Sequence, residues 1–201
     1  MSVPIAGLAP ELAGFRVVQI SDVHVGHTSR AFLESVVDAV NALEPDLVAI
    51  TGDLVEGTVD EIGPDLRGLM RLRAKHGVFF VTGNHEYYGD GVRWAEHLPS
   101  LGLRVLRNER VRVVHGGAPL DVVGVDDPFG KMAPGHGTDL DAALAGRDLA
   151  VPTLLLAHQP VTVVDAARHG VTLQLSGHTH GGQLRVPWLG ATPFAPVRDQ
   201  E

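Results

Sequence analysis

The sequence predicts an α/β protein of two packed β-sheets flanked by helices, and three observations carry that reading. Apolar runs alternate with helix-period stretches through the first half of the chain. Hairpin-like segments interrupt the alternation near the middle, and it then resumes. The third observation is that apolar runs repeatedly end in a polar cluster. Asp22 and His24 follow VVQIS, Asp53 follows LVAITG, Asn84 and His85 follow VFFVTG, His158 follows TLLLA, and His178 and His180 follow LQLSG. Parallel strands buried on both faces read as continuous apolar runs, and open α/β sheets gather their sites at the carboxyl ends of the strands. The clusters are therefore expected on one edge, where their carboxylates, imidazoles and amide suit one or two transition-metal ions.

Phe15 to Ile20 reads as the first strand, after a lead-in of residues 1–14. From Ala31 to Leu43 the residues Phe32, Val36, Val37, Val40 and Leu43 share a helical face, and Pro45 ends that helix. Leu47 to Ile50 is the second strand and Gly52-Asp53 the turn after it. A helix is expected through Leu66, Leu69, Met70 and Leu72, with Gly77 as its stop and Val78 to Val81 as the third strand. This βαβαβ rhythm implies parallel pairing with right-handed crossovers. From Arg104 to Val125 the turn signals Asn108 and Gly116-Gly117 separate short strands, which predicts antiparallel hairpins. A helix from Asp139 to Ala145, a strand from Thr153 to Ala157, a helix from Val161 to Arg168 and a strand from Val171 to Leu175 follow. A last strand begins at Leu184 to Val186 and soon meets Pro187.

A chain of 201 residues with 44% hydrophobic and 20% charged residues is most simply one domain with a full core. Sixteen basic against 24 acidic residues leave a net charge of −8, and no basic stripe is present to track phosphates, which argues against general binding of duplex nucleic acid. With no cysteine, any metal site must use nitrogen and oxygen donors. The opening MSVPIAGLAPELAGF lacks the charge and apolar pattern of a signal peptide, and no segment approaches a membrane span of ~20 apolar residues. The expected location is cytoplasmic or peripheral to a membrane.

Each polar cluster also has a plainer account. Asp22-Val-His24 can aim both side chains at one ion, because residues i and i+2 share a face in extended backbone, or Asp22 can cap a helix. Gly52-Asp53 taken alone reads as an ordinary turn, with a carboxylate that can bridge two cations. Asn84 is an uncommon ligand type beside His85, or an Asn in left-handed geometry. Gly177-His178-Thr179-His180-Gly181-Gly182 is the most specific, since two imidazoles between glycines give a core little to pack.

Taken in order, SDVHVG, GDLVEG, GNHEYY, LAHQP and SGHTHGGQ resemble the motif set of the calcineurin-like metallophosphoesterases, most closely a bacterial branch often associated with membranes. The match runs from about Phe15 to about Val186. It implies a four-layer α/β/β/α sandwich and a two-metal hydrolase. Asp22, His24 and His180 would hold one ion, Asn84, His158 and His178 the other, and Asp53 would bridge them. The implied ions are two divalent or mixed-valence Mn, Fe or Zn ions. Two ions ~3.5–4 Å apart can bring a bridging water to a pKa of about 7 and clamp phosphoryl oxygens, so that hydroxide on the metals attacks the ester. His85 matches the family's non-ligand histidine, which stabilises the transition state or protonates the leaving oxygen.

The reaction so implied is hydrolysis of a phosphate ester, a diester in preference to a monoester, on a small molecule or a phospholipid-type substrate. The competing readings are a catalytically silent metal-binding scaffold and a mononuclear amide hydrolase. The latter leaves Asp53 and Asn84 without a purpose. His27, His76, His97, His115, His136 and His169 read as surface or structural, with His27 near the cleft. Asp126-Asp127 reads as a loop or a support for the ligands. Tyr87 and Tyr88 line the cleft or pack. Family domains continue with further strands, whereas PWLGATPFAPVRDQE follows Val186 here, so the domain of residues 15–201 is expected to lack its last strands and to leave an edge uncovered.

Overall fold

A computed structural model describes residues 1–180 of the chain. Within them two four-stranded sheets face each other. The first sheet runs in the order β1 (Val17–Ile20), β2 (Leu47–Ile50), β3 (Val78–Phe80) and β4 (Leu103–Val105), with every neighbouring pair parallel. The second runs β5 (Glu109–His115), β6 (Ala118–Gly124), β7 (Thr153–Leu156) and β8 (Leu173–Leu175). Here β5 and β6 are antiparallel, and β6, β7 and β8 are parallel. The helices are α1 (Arg30–Ala42), α2 (Val59–Ile62), α3 (Asn84–Gly89), α4 (Gly91–His97), α5 (Leu140–Leu144) and α6 (Val163–Arg168).

Strand alternation sorts the core into three layers. Leu47, Ala49, Phe79 and Val81 point toward the second sheet and meet Val113, Leu120, Val122, Leu154 and Leu156. Their neighbours Val48, Ile50, Val78 and Phe80 point the other way, under Leu33, Val37, Val40, Leu66, Leu69, Trp94 and Leu98. On the far side Val123 and Leu155 lie beneath Leu140, Ala143, Leu144 and Ala166. A two-sided apolar run such as LVAI is thus a strand buried on both faces, and the layers are α/β/β/α.

Some elements differ from the reading of the sequence. Helix α1, capped by Ser29 accepting from the Phe32 backbone N–H, buries Leu33, Val37 and Val40, while Phe32 and Leu43 are exposed. The buried stripe runs i, i+4, i+7 from Leu33, with Val36 packed at its border, so the face is turned by one residue. The helix expected through Leu66 to Leu72 is a single turn of α2 followed by a 3-10 helix at Gly63–Arg71, which leaves Met70 exposed. Pro64 at the start of that segment removes a backbone donor. The stretch after Arg104 holds one hairpin, turned at Gly116-Gly117. Asn108, with φ +51°, instead marks where the chain leaves the first sheet for the second. The expected strand at Leu184 to Val186 and the expected loss of closing strands lie outside the described residues.

Candidate metal centre

All the polar clusters emerge at the carboxyl edge of the two sheets, and the backbone that carries them is strained. Among the described residues the non-glycine positions with positive φ are Asp22, His24, Glu44, Asp53, Asn108, His178 and His180. Five of these seven lie in the clusters. Left-handed backbone costs an L-residue roughly 1–2 kcal/mol, and such strain persists where the surrounding structure imposes it, most often at functional sites. The loops are also pressed together. A Cβ on Gly83 would strike the Asp53 carboxylate, and one on Gly177 would strike Ser21 and Asp22, so only glycine lets these turns meet.

Asp22, His24 and His180 form one convergent set. His180 Nε2 lies 3.4 Å from Asp22 Oδ1 and 3.2 Å from His24 Nε2. His24 Nδ1 lies 2.6 Å from Glu56 Oε1. A carboxylate accepts there, so Nδ1 carries the hydrogen and the Nε2 lone pair faces the set. The backbone N–H of His178 donates to Asp22 Oδ1 at 2.9 Å, which ties this set to the next.

Asp53, His158 and His178 form the second set, with 3.1 Å from Asp53 Oδ2 to His158 Nε2 and 3.2 Å from His158 Nε2 to His178 Nδ1. His158 Nδ1 donates to the Thr51 carbonyl at 2.7 Å, which turns Nε2 toward the set. Burial opposes a charge on His158, yet the Asp53 carboxylate overrides it and pushes the imidazole pKa up to about 9. For Asp53, itself 1% exposed, the same partnership outweighs burial and holds the carboxyl below its ordinary range. Burial, followed by the charge on His158, keeps His178 on the neutral side. Buried carboxylate here calls for a positive partner, which a proton or a cation can supply.

Asn84 supplies the test of fit. Its Nδ2 donates to the Tyr88 hydroxyl at 3.0 Å, while its Oδ1 is buried without a hydrogen-bond partner. Buried acceptors are nearly always satisfied, and an orphan at a cluster of carboxylate and imidazole donors has the chemistry of a ligand awaiting a cation. Together with the two Nε2 atoms that face the sets, it makes the donor set fit metal ions.

His85, on the first turn of α3, is a quarter exposed, and its Nε2 lies 3.8 Å from Asp53 Oδ2. His24, Asp53 and His85 form a third convergent group. The His85 backbone N–H donates to Asp53 Oδ1 at 2.9 Å, and its Nδ1 lies against Glu56 Oε1. Glu56, in the loop after β2, therefore backs both His24 and His85, and reading the sequence missed it. Glu86 was missed as well. Fully buried, it accepts from the backbone N–H groups of Asp53 (3.0 Å), Leu54 (2.8 Å) and Gly83 (2.6 Å), clamping the loops after β2 and β3 together. Burial and the nearby Asp53 charge push its pKa up to about 7 against those donors. A Glu three residues past the helix-capping Gly83 was the available signal for both α3 and this clamp.

Outside the sets, His27 is exposed 3.6 Å from Glu56 Oε1, and His76 pairs with His115 at 3.0 Å. His97 stands edge-on to Trp94, His136 meets the Tyr87 hydroxyl at 2.9 Å, and His169 faces Asp141. Asp126 pairs with Arg107, and Asp127 accepts from the side chain of Gln159, the neighbour of His158. Tyr87 packs inward, whereas Tyr88 stands by the cluster.

The family model described as calcineurin-like phosphoesterase matches residues 15–182. A transmembrane protein with metallophosphoesterase domain from Bos taurus is 40% identical over 196 residues, covering 92% of this chain and 44% of that protein. An uncharacterised metallophosphoesterase of Helicobacter pylori is 39% identical over 171 residues, covering 84% of this chain and 45% of its own length. This chain thus spans less than half the length of these relatives. Among solved structures, a 5'-nucleotidase precursor from Thermus thermophilus superposes with a TM-score of 0.57 at 22% identity, over 83% of this chain and 42% of that one, a likeness of fold.

Proposed function

The chain belongs to the calcineurin-like phosphoesterase family, and from that premise we propose that it hydrolyses phosphate esters with two metal ions at the carboxyl edge of its sheets. The observation that carries the reading is the buried, unpartnered Oδ1 of Asn84 at the head of α3, together with two histidines whose Nε2 atoms face the convergent sets because Glu56 and Thr51 hold their Nδ1 atoms. Asp22, His24 and His180 would hold one ion, and Asn84, His158 and His178 the other. Asp53 would touch both, since it belongs to convergent groups with His24 and with His158. Such ions, of Mn, Fe or Zn, supply an acidified water near neutral pH and positive charge on the phosphoryl oxygens.

The protein's own groups then divide the remaining work. Glu56 lies against His85 Nδ1, so Nε2 is the ring atom left to face the substrate, and in the imidazolium form its N–H would stabilise or protonate the leaving oxygen. The Tyr88 hydroxyl takes the amide end of Asn84, which fixes the side chain and leaves Oδ1 as the end open to a metal. Glu86 fixes the two loops that carry Asp53 and Asn84 at a close, unvarying approach. The substrate is a small phosphate ester or a phospholipid-type one, with diesters preferred. A peripheral position on a membrane accords with the name of the bovine relative, and among the described residues no helix is long and apolar enough to cross one.

The test is to strip metal with a chelator, restore Mn²⁺, Zn²⁺ or Fe²⁺ separately, and assay bis(p-nitrophenyl) phosphate beside p-nitrophenyl phosphate. Metal-restored hydrolysis, faster on the diester, is expected. A folded protein that binds metal and cleaves neither would instead be a silent scaffold.

A further inference from the structure

Helix α3 carries more than Asn84 and His85 to the site. Tyr88 lies one turn beyond both, at i+4 and i+3, so it shares their face of the helix. Tyr88 is 58% exposed and its ring stands edge-on to His85, with centroids 4.8 Å apart and planes at 61°. Phe129, itself 36% exposed, meets Tyr88 from the other side at 5.0 Å and 90°. The Tyr88 hydroxyl is fixed by Asn84 Nδ2 at 3.0 Å.

Phe129 is equally well anchored. It sits in the 3-10 helix Pro128–Met132, where its backbone N–H donates to Asp127 Oδ1 at 2.7 Å. The Asp127 backbone N–H in turn donates to Thr82 Oγ1 at 3.0 Å, and the Asp127 carboxylate accepts from the Gln159 amide at 3.0 Å. Gly130 of the same segment lies against the inward-facing Tyr87 ring so closely that a Cβ there would come within 2.8 Å of it. Exposed rings normally swing between rotamers. This pair is held by two edge-to-face contacts and a hydrogen bond, and the hydrophobic effect alone gives no reason to hold two large apolar rings in water.

We propose that Tyr88 and Phe129 form an aromatic ledge that selects phosphate esters whose alcohol portion carries a flat aromatic ring. The inference rests on the phosphoesterase reading above and narrows its substrate class. His85 Nε2 faces the departing oxygen, so the group attached to that oxygen lies beside the ring that His85 touches, which is Tyr88. An aromatic substituent placed there gains ring–ring contact as well as buried area, and the preset ring loses little freedom when it binds.

The experiment compares benzyl with ethyl esters of the same phosphate, whose alcohols are of nearly equal acidity. In parallel, calorimetry with the Mn²⁺-loaded protein compares the affinities of benzylphosphonate and ethylphosphonate. Benzyl over ethyl is expected to be preferred about tenfold in both readouts. Tyr88→Ala should bring both ratios near one, whereas Tyr88→Phe, which keeps the ring and loses the hydroxyl, should preserve them. Phe129→Leu supplies a second variant that keeps apolar bulk, and it should lower the ratios part of the way. Ratios near one in the unaltered protein, or unchanged in Tyr88→Ala, would overturn the ledge. If benzylphosphonate is bound preferentially while neither ester is cleaved, the ledge stands and the hydrolase reading fails.

Discussion

The two edges of the same sheets each bring histidines into contact, with opposite consequences. At the amino edge His76 Nε2 and His115 Nδ1 meet at 3.0 Å, joining the segment before β3 to the end of β5. At the carboxyl edge His158 meets His178, and His24 meets His180, both at 3.2 Å. The amino-edge pair is covered by Phe15, stacked on His76 at 5.6 Å and edge-on to His115 at 5.0 Å. The carboxylate there, Asp46, is already engaged by the Arg16 backbone N–H at 2.7 Å and Lys75 Nζ at 2.6 Å. Neither His76 nor His115 has positive φ. At the carboxyl edge the imidazoles crowd around buried carboxylates, the backbone is left-handed at five positions, and an amide oxygen is orphaned. What separates the two kinds of histidine pair is therefore strain and unsatisfied polarity, and not the distance between rings.

The comparison is tested most severely by exchanging a carboxylate at each edge. Asp53→Asn should abolish metal-dependent turnover while the far-ultraviolet spectrum is unchanged, and Asp46→Asn should leave turnover as it was. Equal losses would erase the distinction. Next comes His85→Ala, expected to lower kcat by about 10²–10⁴-fold with bound metal retained, as loss of a proton donor should. If turnover is unchanged, His85 has no part in the chemistry.

A smaller effect concerns stability of the metal-free protein. His115→Ala loses a hydrogen bond and a ring contact and should cost about 1–2 kcal/mol in urea unfolding. At His178 the backbone φ is +71°, so His178→Gly relieves roughly 1 kcal/mol of strain while losing a crowded ring, and the two should nearly cancel. A loss at His178 as large as that at His115 would show that the carboxyl edge stores no strain.

The smallest effect is on acid stability. Burial raises the pKa of Asp46, but the hydrogen bonds from Lys75 and Arg16 outweigh it and hold the carboxyl below its ordinary value. A depressed folded-state pKa stabilises the fold above the unfolded value of about 3.9, and that stability is lost as pH falls through the lower folded value. Asp46→Asn should flatten this acid limb, below about pH 4. A limb of unchanged steepness would assign the loss to other carboxylates.

Much of this arrangement was legible in the sequence because local chemistry wrote it there. Runs such as LVAI and TLLL are buried on both faces, as strands inside a layered sheet are, and each polar cluster begins two to four residues past the end of such a strand. Turn residues decided less well. Asn108 looked like a hairpin and is a crossing between sheets, because an Asn in left-handed backbone serves either purpose. Helix α3 was hidden by its own motif, as Asn84 read as a ligand or as an Asn in left-handed geometry, and its backbone is helical. Glu56 and Glu86 could not be assigned locally. Apart from Gly83, three residues before Glu86, their partners lie about 30 residues away, and only the packed edge shows Glu86 clamping Asp53 and Leu54 as well.

The central claim is that the carboxyl edge is a two-metal centre bridged by Asp53. Its most direct measurement is metal content by mass spectrometry after equilibration with Mn²⁺ and desalting, alongside equilibrium titration, on the unaltered protein and on Asp53→Asn. A bridged centre predicts about two ions per chain in the former and weakened binding of both in the latter. A folded, unaltered protein that binds no metal, or whose binding is untouched by Asp53→Asn, would contradict it.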